Sequence, residues 1–166
     1  AKGYLLETLL GKGPGSRLWA LRVDERLAYG VDADMTWTKS AAVLIAYLEA
    51  GRAKGAEAAA ALERTIEALR EEGVSAEEME ATRTMARARF LRAAESKSSR
   101  VRTLGLFEVL GLGHEQASGF FQAIDAVTRE GLNSFIRDAL APGRALTVTI
   151  GPTGSQPPQG GSPCPD

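Results

Sequence analysis

Residues 9–33 read LLGKGPGSRLWALRVDERLAYGVDA, and the two patterns that decide the fold meet in this stretch. A glycine-rich break at residues 11–15 separates two apolar segments with helical spacing, and Ser16 is a suitable N-cap for the second. From Leu27 to Trp37 every second position is apolar or aromatic, which is the period of a half-buried strand. The stretch therefore predicts two helices followed directly by a strand.

The flanking segments extend this prediction to an α+β fold. Residues 4–10 have the spacing of a buried helix. Residues 38–40 can turn the chain from the first strand into a second, more buried strand over residues 41–48, so we expect an antiparallel hairpin. Residues 145–150 are predicted to form a short third strand.

Helical patterns fill most of the remaining chain. Ser75 and Glu78 match a capping box, and Thr128 is a suitable N-cap for a last helix. The apolar spacing predicts helices over residues 56–71, 76–94, 99–111, 115–125 and 129–141. The predicted fold class is therefore α+β, with an antiparallel sheet packed against several helices.

The predicted sheet is small for so many helices. Each amphipathic helix needs a layer on which to bury its apolar face, so we expect the N-terminal strands of the domain to lie upstream of Ala1. Residues 152–166 hold five of the seven prolines and almost no large apolar side chains, which predicts a disordered tail. The expected folded domain is thus residues 1–151.

Composition excludes several functional classes. The 166 residues carry a net charge of -1, which argues against a broad nucleic-acid surface. The longest apolar run, residues 41–48, is too short to span a membrane. With one cysteine, Cys164, and one histidine, His114, the chain has no internal disulfide and lacks the several histidines of a self-contained histidine zinc site.

Two local motifs have both a chemical and a structural interpretation. The glycine-rich break contains Lys12 and could bind an anion, but it lacks the preceding strand and the spacing of a phosphate-binding loop. A tight turn is the favoured interpretation. His114-Glu115 begins like H-E-x-x-H, yet Ser118 stands where the second histidine is required, so we expect His114 on the surface.

Arg22 and Tyr29 are the stronger candidates for a functional site. They lie seven residues apart across the predicted turn from the second helix to the first strand, so their side chains could converge at one sheet edge. A guanidinium and a phenol can both donate hydrogen bonds to a carbonyl or an oxyanion. Alternatively, Tyr29 belongs to the core and Arg22 pairs with Asp24 or Glu25.

Residues 9–31 resemble the segment L-L-G-x-G-x-x-S-R-L-x-x-L-R-x-x-x-x-L-A-Y-x-V of the insulinase/pitrilysin family of zinc metallopeptidases, which includes the mitochondrial processing peptidases. The paired helices after the hairpin and the closing segment up to residue 152 are also similar to this family. In this sequence Arg26 is followed directly by Leu27, where many relatives read R-G-L-A-Y.

The resemblance implies a clamshell of two halves that close over a peptide. One half binds zinc through H-x-x-E-H, and the facing half supplies an arginine and a tyrosine that correspond to Arg22 and Tyr29. These two residues are implied to hold the peptide backbone and to stabilise the tetrahedral intermediate.

This sequence has no H-x-x-E-H, so the resemblance implies a non-zinc, C-terminal domain that is inactive alone. The chain itself is expected to hold no cofactor. Its implied partners are a zinc-bearing half or subunit and a peptide substrate. An inactive scaffold of the same fold is the main alternative, and an anion-binding module using Lys12 is a weaker one.

Overall fold

The computed structural model describes residues 1–151. The predicted disordered tail, with Cys164, lies outside the described residues. Seven α-helices and one two-stranded antiparallel sheet make up the described part, which confirms the predicted α+β class. In chain order the elements are α1 (Lys2–Gly11), α2 (Arg17–Val23), β1 (Gly30–Trp37), β2 (Ala42–Glu49), α3 (Gly55–Glu72), α4 (Ala76–Ala93), α5 (Lys97–Val109), α6 (Phe120–Asp125) and α7 (Arg129–Ala139).

The hairpin forms as the alternating pattern predicts. Gly30 pairs with Glu49 at its open end and Trp37 pairs with Ala42 beside the turn. The turn is closed by Thr38, whose backbone N–H donates to the carbonyl oxygen of Ala41 at 2.8 Å. The hydroxyl of Thr38 donates to the same oxygen at 2.9 Å.

The prediction that the second strand is the more buried one is wrong. Only Leu44, Ala46 and Leu48 face the interior, and the side chains between them are exposed. A two-stranded sheet with one covered face leaves alternate positions in water whatever their polarity. The outward apolar residues of β2 are Val43, Ile45 and Tyr47.

The predicted third strand is also absent from the structure of residues 1–151. Residues 145–150 form no strand, and their apolar side chains Leu146, Val148 and Ile150 are exposed. Thr147 instead donates its hydroxyl hydrogen to Oε1 of Glu63 on α3, at 3.2 Å. A high strand propensity does not produce a strand where no neighbouring strand accepts the hydrogen bonds.

Helix α1 is the centre of the core. It packs on β1, α2, α4 and α7, and its leucines Leu5, Leu6 and Leu10 are fully buried. The end of α1 lies directly on the sheet, because a Cβ at Gly11 would overlap the backbone nitrogen of Ala33. Glycine at this position therefore permits the close approach of helix and strand.

Most of the predicted helix ends are confirmed, but the helix predicted over residues 115–125 is divided into a 3₁₀ turn at His114–Ala117 and the short α6, which begins at Phe120. Ser75 and Glu78 form a complete capping box at the start of α4, and Thr128 caps α7 through the backbone N–H of Gly131. Ser16 occupies the N-cap position of α2, but its hydroxyl donates to the carbonyl oxygen of Gly13 at 2.8 Å instead of accepting from the helix.

A buried ion pair joins α1 to α4. Glu7 is only 7% exposed, and Arg89 donates from Nη2 to Oε1 of Glu7 at 2.7 Å. The same guanidinium donates to the hydroxyl of Thr8 and lies 4.7 Å from the ring centroid of Tyr4. This arginine therefore contacts a carboxylate, a hydroxyl and an aromatic ring on the central helix.

Within the described part of the chain, no helix combines the length and apolar character needed to cross a membrane.

Candidate functional site

Arg22 lies in the last turn of α2 with its side chain exposed to solvent. Its guanidinium carbon is 4.9 Å from the ring centroid of Trp19, which is the geometry of a cation–π contact. In residues 1–151 the side chain makes no ion pair with Asp24 or Glu25, so the alternative role predicted for it is not seen. The indole holds one face of the guanidinium and leaves its edge N–H groups available to donate.

Tyr29 precedes β1 and is not a core residue. Its side chain is 75% exposed, so the interpretation that alternation places it in the core is wrong. Its backbone is nevertheless well anchored, because its N–H donates to the carbonyl oxygen of Glu49 at 2.7 Å. The preceding Leu27 and Ala28 are buried. An ordered backbone thus presents a phenol to solvent at the open end of the hairpin.

One tight turn connects the two candidates. The backbone N–H of Leu27 donates to the carbonyl oxygen of Leu21 at 2.9 Å, which closes the loop after α2. Within this loop Arg26 has a left-handed backbone, with φ of 54°, a region that glycine adopts without steric cost. No hydrogen bond joins the side chains of Arg22 and Tyr29 in the described residues, so their action on a common ligand stays a prediction.

A shallow depression of about 260 Å³ lies beside Tyr29. It is lined by Arg26, Leu27, Ala28, Tyr29, Gly51, Ala53 and Lys54. The Nζ of Lys54 donates to the carbonyl oxygen of Arg26 at 3.0 Å, which links the two sides of the depression. A Cβ at Gly51 would come within 3.3 Å of the Tyr29 hydroxyl oxygen, so this glycine leaves room for the phenol.

Sequence reasoning did not identify Gly51 and Lys54 as part of this region. The available signal was the hairpin itself, because an antiparallel turn must return residues after β2 to the start of β1. The register confirms this juxtaposition, with Glu49 opposite Gly30.

Lys12 is engaged by acidic side chains and does not form an open anion site. Its Nζ lies 2.9 Å from Oδ1 of Asp32 and 3.7 Å from Oε1 of Glu7, and it also contacts Asp34. Burial alone would lower the pKa of Lys12, but the hydrogen bonds to Asp34 and Asp32 raise it above the ordinary value. The structure therefore gives no support to the anion-binding alternative.

The side chains of Glu108, His114 and Glu115 bring potential metal-ligating atoms within 4.8 Å of one another on the surface of the described region. They bond among themselves. His114 Nδ1 contacts Oε1 of Glu108, and Nε2 lies 3.5 Å from Oε1 of Glu115. All three are exposed, and exposed acidic groups of this kind are common without a metal.

The hydrogen bond that the ring N–H of His114 donates to the Glu108 carboxylate raises the pKa of His114 above its ordinary value, with a further contribution from Glu115. We expect the imidazole proton signal of this single histidine to titrate above about pH 6.5 in an NMR titration, and Glu108→Gln to move the pKa back down. The pKa of His114 is higher in the folded protein than in the unfolded chain. The interaction of His114 with Glu108 therefore stabilises the fold at a pH below the unfolded-state pKa, and this stabilisation is lost as the pH rises through the folded-state pKa.

Glu95→Gln is the matched control, since Glu95 is exposed and makes no ion pair in the described region. An unchanged His114 pKa in Glu108→Gln would show that the contact is absent in solution.

These features define an α+β domain that exposes an arginine in the last turn of α2 and a tyrosine just before β1, and its sequence carries no H-x-x-E-H motif. The chain belongs to the family described as the Peptidase M16 inactive domain, which matches residues 1–86. This confirms the resemblance to the insulinase/pitrilysin metallopeptidases and identifies the chain as a non-catalytic domain of that family.

Two solved structures are similar in fold. A "putative zinc protease" from Bordetella pertussis Tohama I has a TM-score of 0.68 at 17% identity, and the match covers 86% of this chain and 79% of that one. A conserved protein from Enterococcus faecalis V583 has a TM-score of 0.65 at 16% identity, and the match covers 82% of this chain but only 32% of the other. No curated protein matches the sequence.

Proposed function

We propose that this chain is the substrate-positioning domain of a zinc-dependent metalloendopeptidase, with residues 1–151 as its folded extent. The observation that carries the proposal is the exposed phenol of Tyr29 on a fixed backbone, one turn away from the exposed guanidinium of Arg22. Both side chains occupy the positions that the metallopeptidase resemblance assigns to substrate contacts. Family membership supports the class of protein in which they act.

The chemistry of these two side chains suits a peptide carbonyl. When the carbonyl carbon is attacked, negative charge develops on its oxygen, and O–H and N–H donors that already point at it stabilise that charge. Tyr29 has one O–H donor and Arg22 has five N–H donors, which also remain charged at every relevant pH. The proposed role of this domain is therefore to hold the peptide and to stabilise the tetrahedral intermediate.

The residues of this chain do not suit a catalytic zinc site. The single histidine, His114, is exposed and bonded to glutamates. A catalytic zinc site in this family type needs paired histidines together with a general-base glutamate. We therefore assign the zinc, which would activate the attacking water, to the partner half.

A second candidate function is an inactive assembly domain. The observation that favours it is the outward side of α5, where Val101, Leu104 and Val109 are exposed to solvent. Apolar surface of this kind marks interaction sites on folded proteins.

Reconstitution tests the proposal. The chain is mixed with the half that bears H-x-x-E-H, whether that half belongs to the same polypeptide or to another subunit, and cleavage of a fluorescence-quenched unstructured peptide is measured. We expect no cleavage by the chain alone, little by the zinc half alone, and chelator-sensitive cleavage by the two together. A complex that forms without any gain in rate would contradict the proposal and support the assembly domain.

A further inference from the structure

The depression beside Tyr29 has an uncompensated positive charge. Its lining includes two cationic residues, Arg26 and Lys54, and no aspartate or glutamate. Across residues 1–151, neither of these cations forms an ion pair with a carboxylate. Lys12 shows the opposite case, because three carboxylates surround it. The charge of the depression is therefore available to a ligand.

A hydrogen bond fixes the position of one of these two cations. Lys54 uses one N–H to donate to the carbonyl oxygen of Arg26 at 3.0 Å, which fixes its ammonium group next to the backbone of another lining residue. An ammonium group has three N–H donors, so two remain free for an acceptor. The buried residues Leu27 and Ala28 form part of the lining, and the volume of about 260 Å³ is below the range of about 300–1,000 Å³ typical of whole-ligand sites. The space suits one side chain of a larger ligand.

We propose that this depression is a specificity subsite that binds the carboxylate of an aspartate or glutamate in the peptide substrate. The inference rests on the proposed function, since it takes the peptide backbone to lie against Tyr29. An acidic side chain near the tyrosine contact would place its carboxylate against the ammonium of Lys54, beside the cationic residue Arg26. Such hydrogen bonds between charged partners are stronger than neutral ones.

The experiment compares cleavage of matched peptides by the assembled peptidase. Each peptide carries Glu, Gln or Lys at one position of an otherwise constant sequence, and kcat/KM is measured position by position. At one position we expect the Glu peptide to exceed the Gln peptide by about tenfold, as is typical for a hydrogen bond to a charged group. The preference should decrease with added salt, because the depression is open to solvent.

Substitutions assign the preference to this site. Lys54→Glu is expected to reverse it, so that the Lys peptide becomes the better substrate at that position. Arg26→Gly is expected to weaken it, and glycine readily adopts the left-handed backbone that Arg26 has here. Lys39→Glu makes the same charge change as Lys54→Glu at the opposite end of the hairpin and should leave the preference unchanged. Thermal melts confirm that each variant is folded.

The outcomes separate this inference from the function on which it rests. A wild-type enzyme with no acidic preference at any position would overturn the subsite, as would a preference that survives in folded Lys54→Glu. In both cases, a reduced cleavage rate in Tyr29→Phe would still support the proposed substrate-positioning function. If Tyr29→Phe and Arg22→Ala both keep the wild-type rate, the function itself fails, and the subsite fails with it.

Discussion

Replacing Tyr29 with phenylalanine is expected to lower the turnover of the assembled peptidase by about 10²–10³-fold, the usual cost of losing one donor to a developing oxyanion. The substitution removes one hydroxyl and keeps the ring. Because the side chain is 75% exposed, we expect little change in the melting temperature. Turnover at saturating peptide and a thermal melt of the same preparation test both expectations.

Tyr47→Phe is the matched control for this experiment. Tyr47 is exposed on the outward face of β2 and is not assigned a substrate contact, so removing its hydroxyl should not affect turnover.

Arg22→Ala should also reduce turnover and weaken peptide binding. Arg22→Lys keeps the charge but loses the planar guanidinium that stacks on Trp19. Wild-type rates in Tyr29→Phe and Arg22→Ala, with assembly and zinc intact, would leave only the assembly domain.

Replacing Arg89 with methionine is expected to destabilise the domain by about 3 kcal/mol, near the lower end of the range for breaking a buried ion pair. Glu7 is only 7% exposed, and the substitution removes the cation closest to its carboxylate. Lys12 remains 3.7 Å from the same carboxylate, which is why we expect the lower end. Urea unfolding followed by circular dichroism measures the change in the free energy of unfolding.

Arg64→Met controls for the loss of an arginine on a helix surface, since Arg64 is exposed on α3 and forms no ion pair in the described region. The double variant Glu7→Gln with Arg89→Met should recover part of the lost stability, because it removes the unpaired charge. Equal stability of Arg89→Met and the wild type would show that water, rather than protein, solvates Glu7.

Local signals predicted the parts of the fold that local chemistry controls. The alternation up to Trp37, the turn at Thr38 and the capping box of Ser75 and Glu78 each depend on residues a few positions apart. The sequence resemblance of residues 9–31 likewise predicted the family that the comparison confirms.

Features that depend on distant partners could not be predicted in this way. The strand propensity of residues 145–150 says nothing about whether a neighbouring strand is present. The pairing of Glu7 with Arg89 joins residues 82 positions apart, and the sequence gives no signal for it. The exposure of Tyr29 was equally hidden, because Tyr29 shares the phase of the covered residues Val31, Ala33 and Met35 but lies just before β1 begins at Gly30.

The central position of α1 has a consequence for biosynthesis. Its buried leucines and Glu7 leave the ribosome long before Arg89 on α4, which is made 82 residues later. At translation rates of about 5–20 residues per second, Arg89 is synthesised about 4–16 s after Glu7, and until then α1 lacks its packing partner α4. A nascent chain arrested before α4 would display an uncovered leucine surface, which makes it a substrate for chaperones and quality-control proteases instead of a stable folding intermediate.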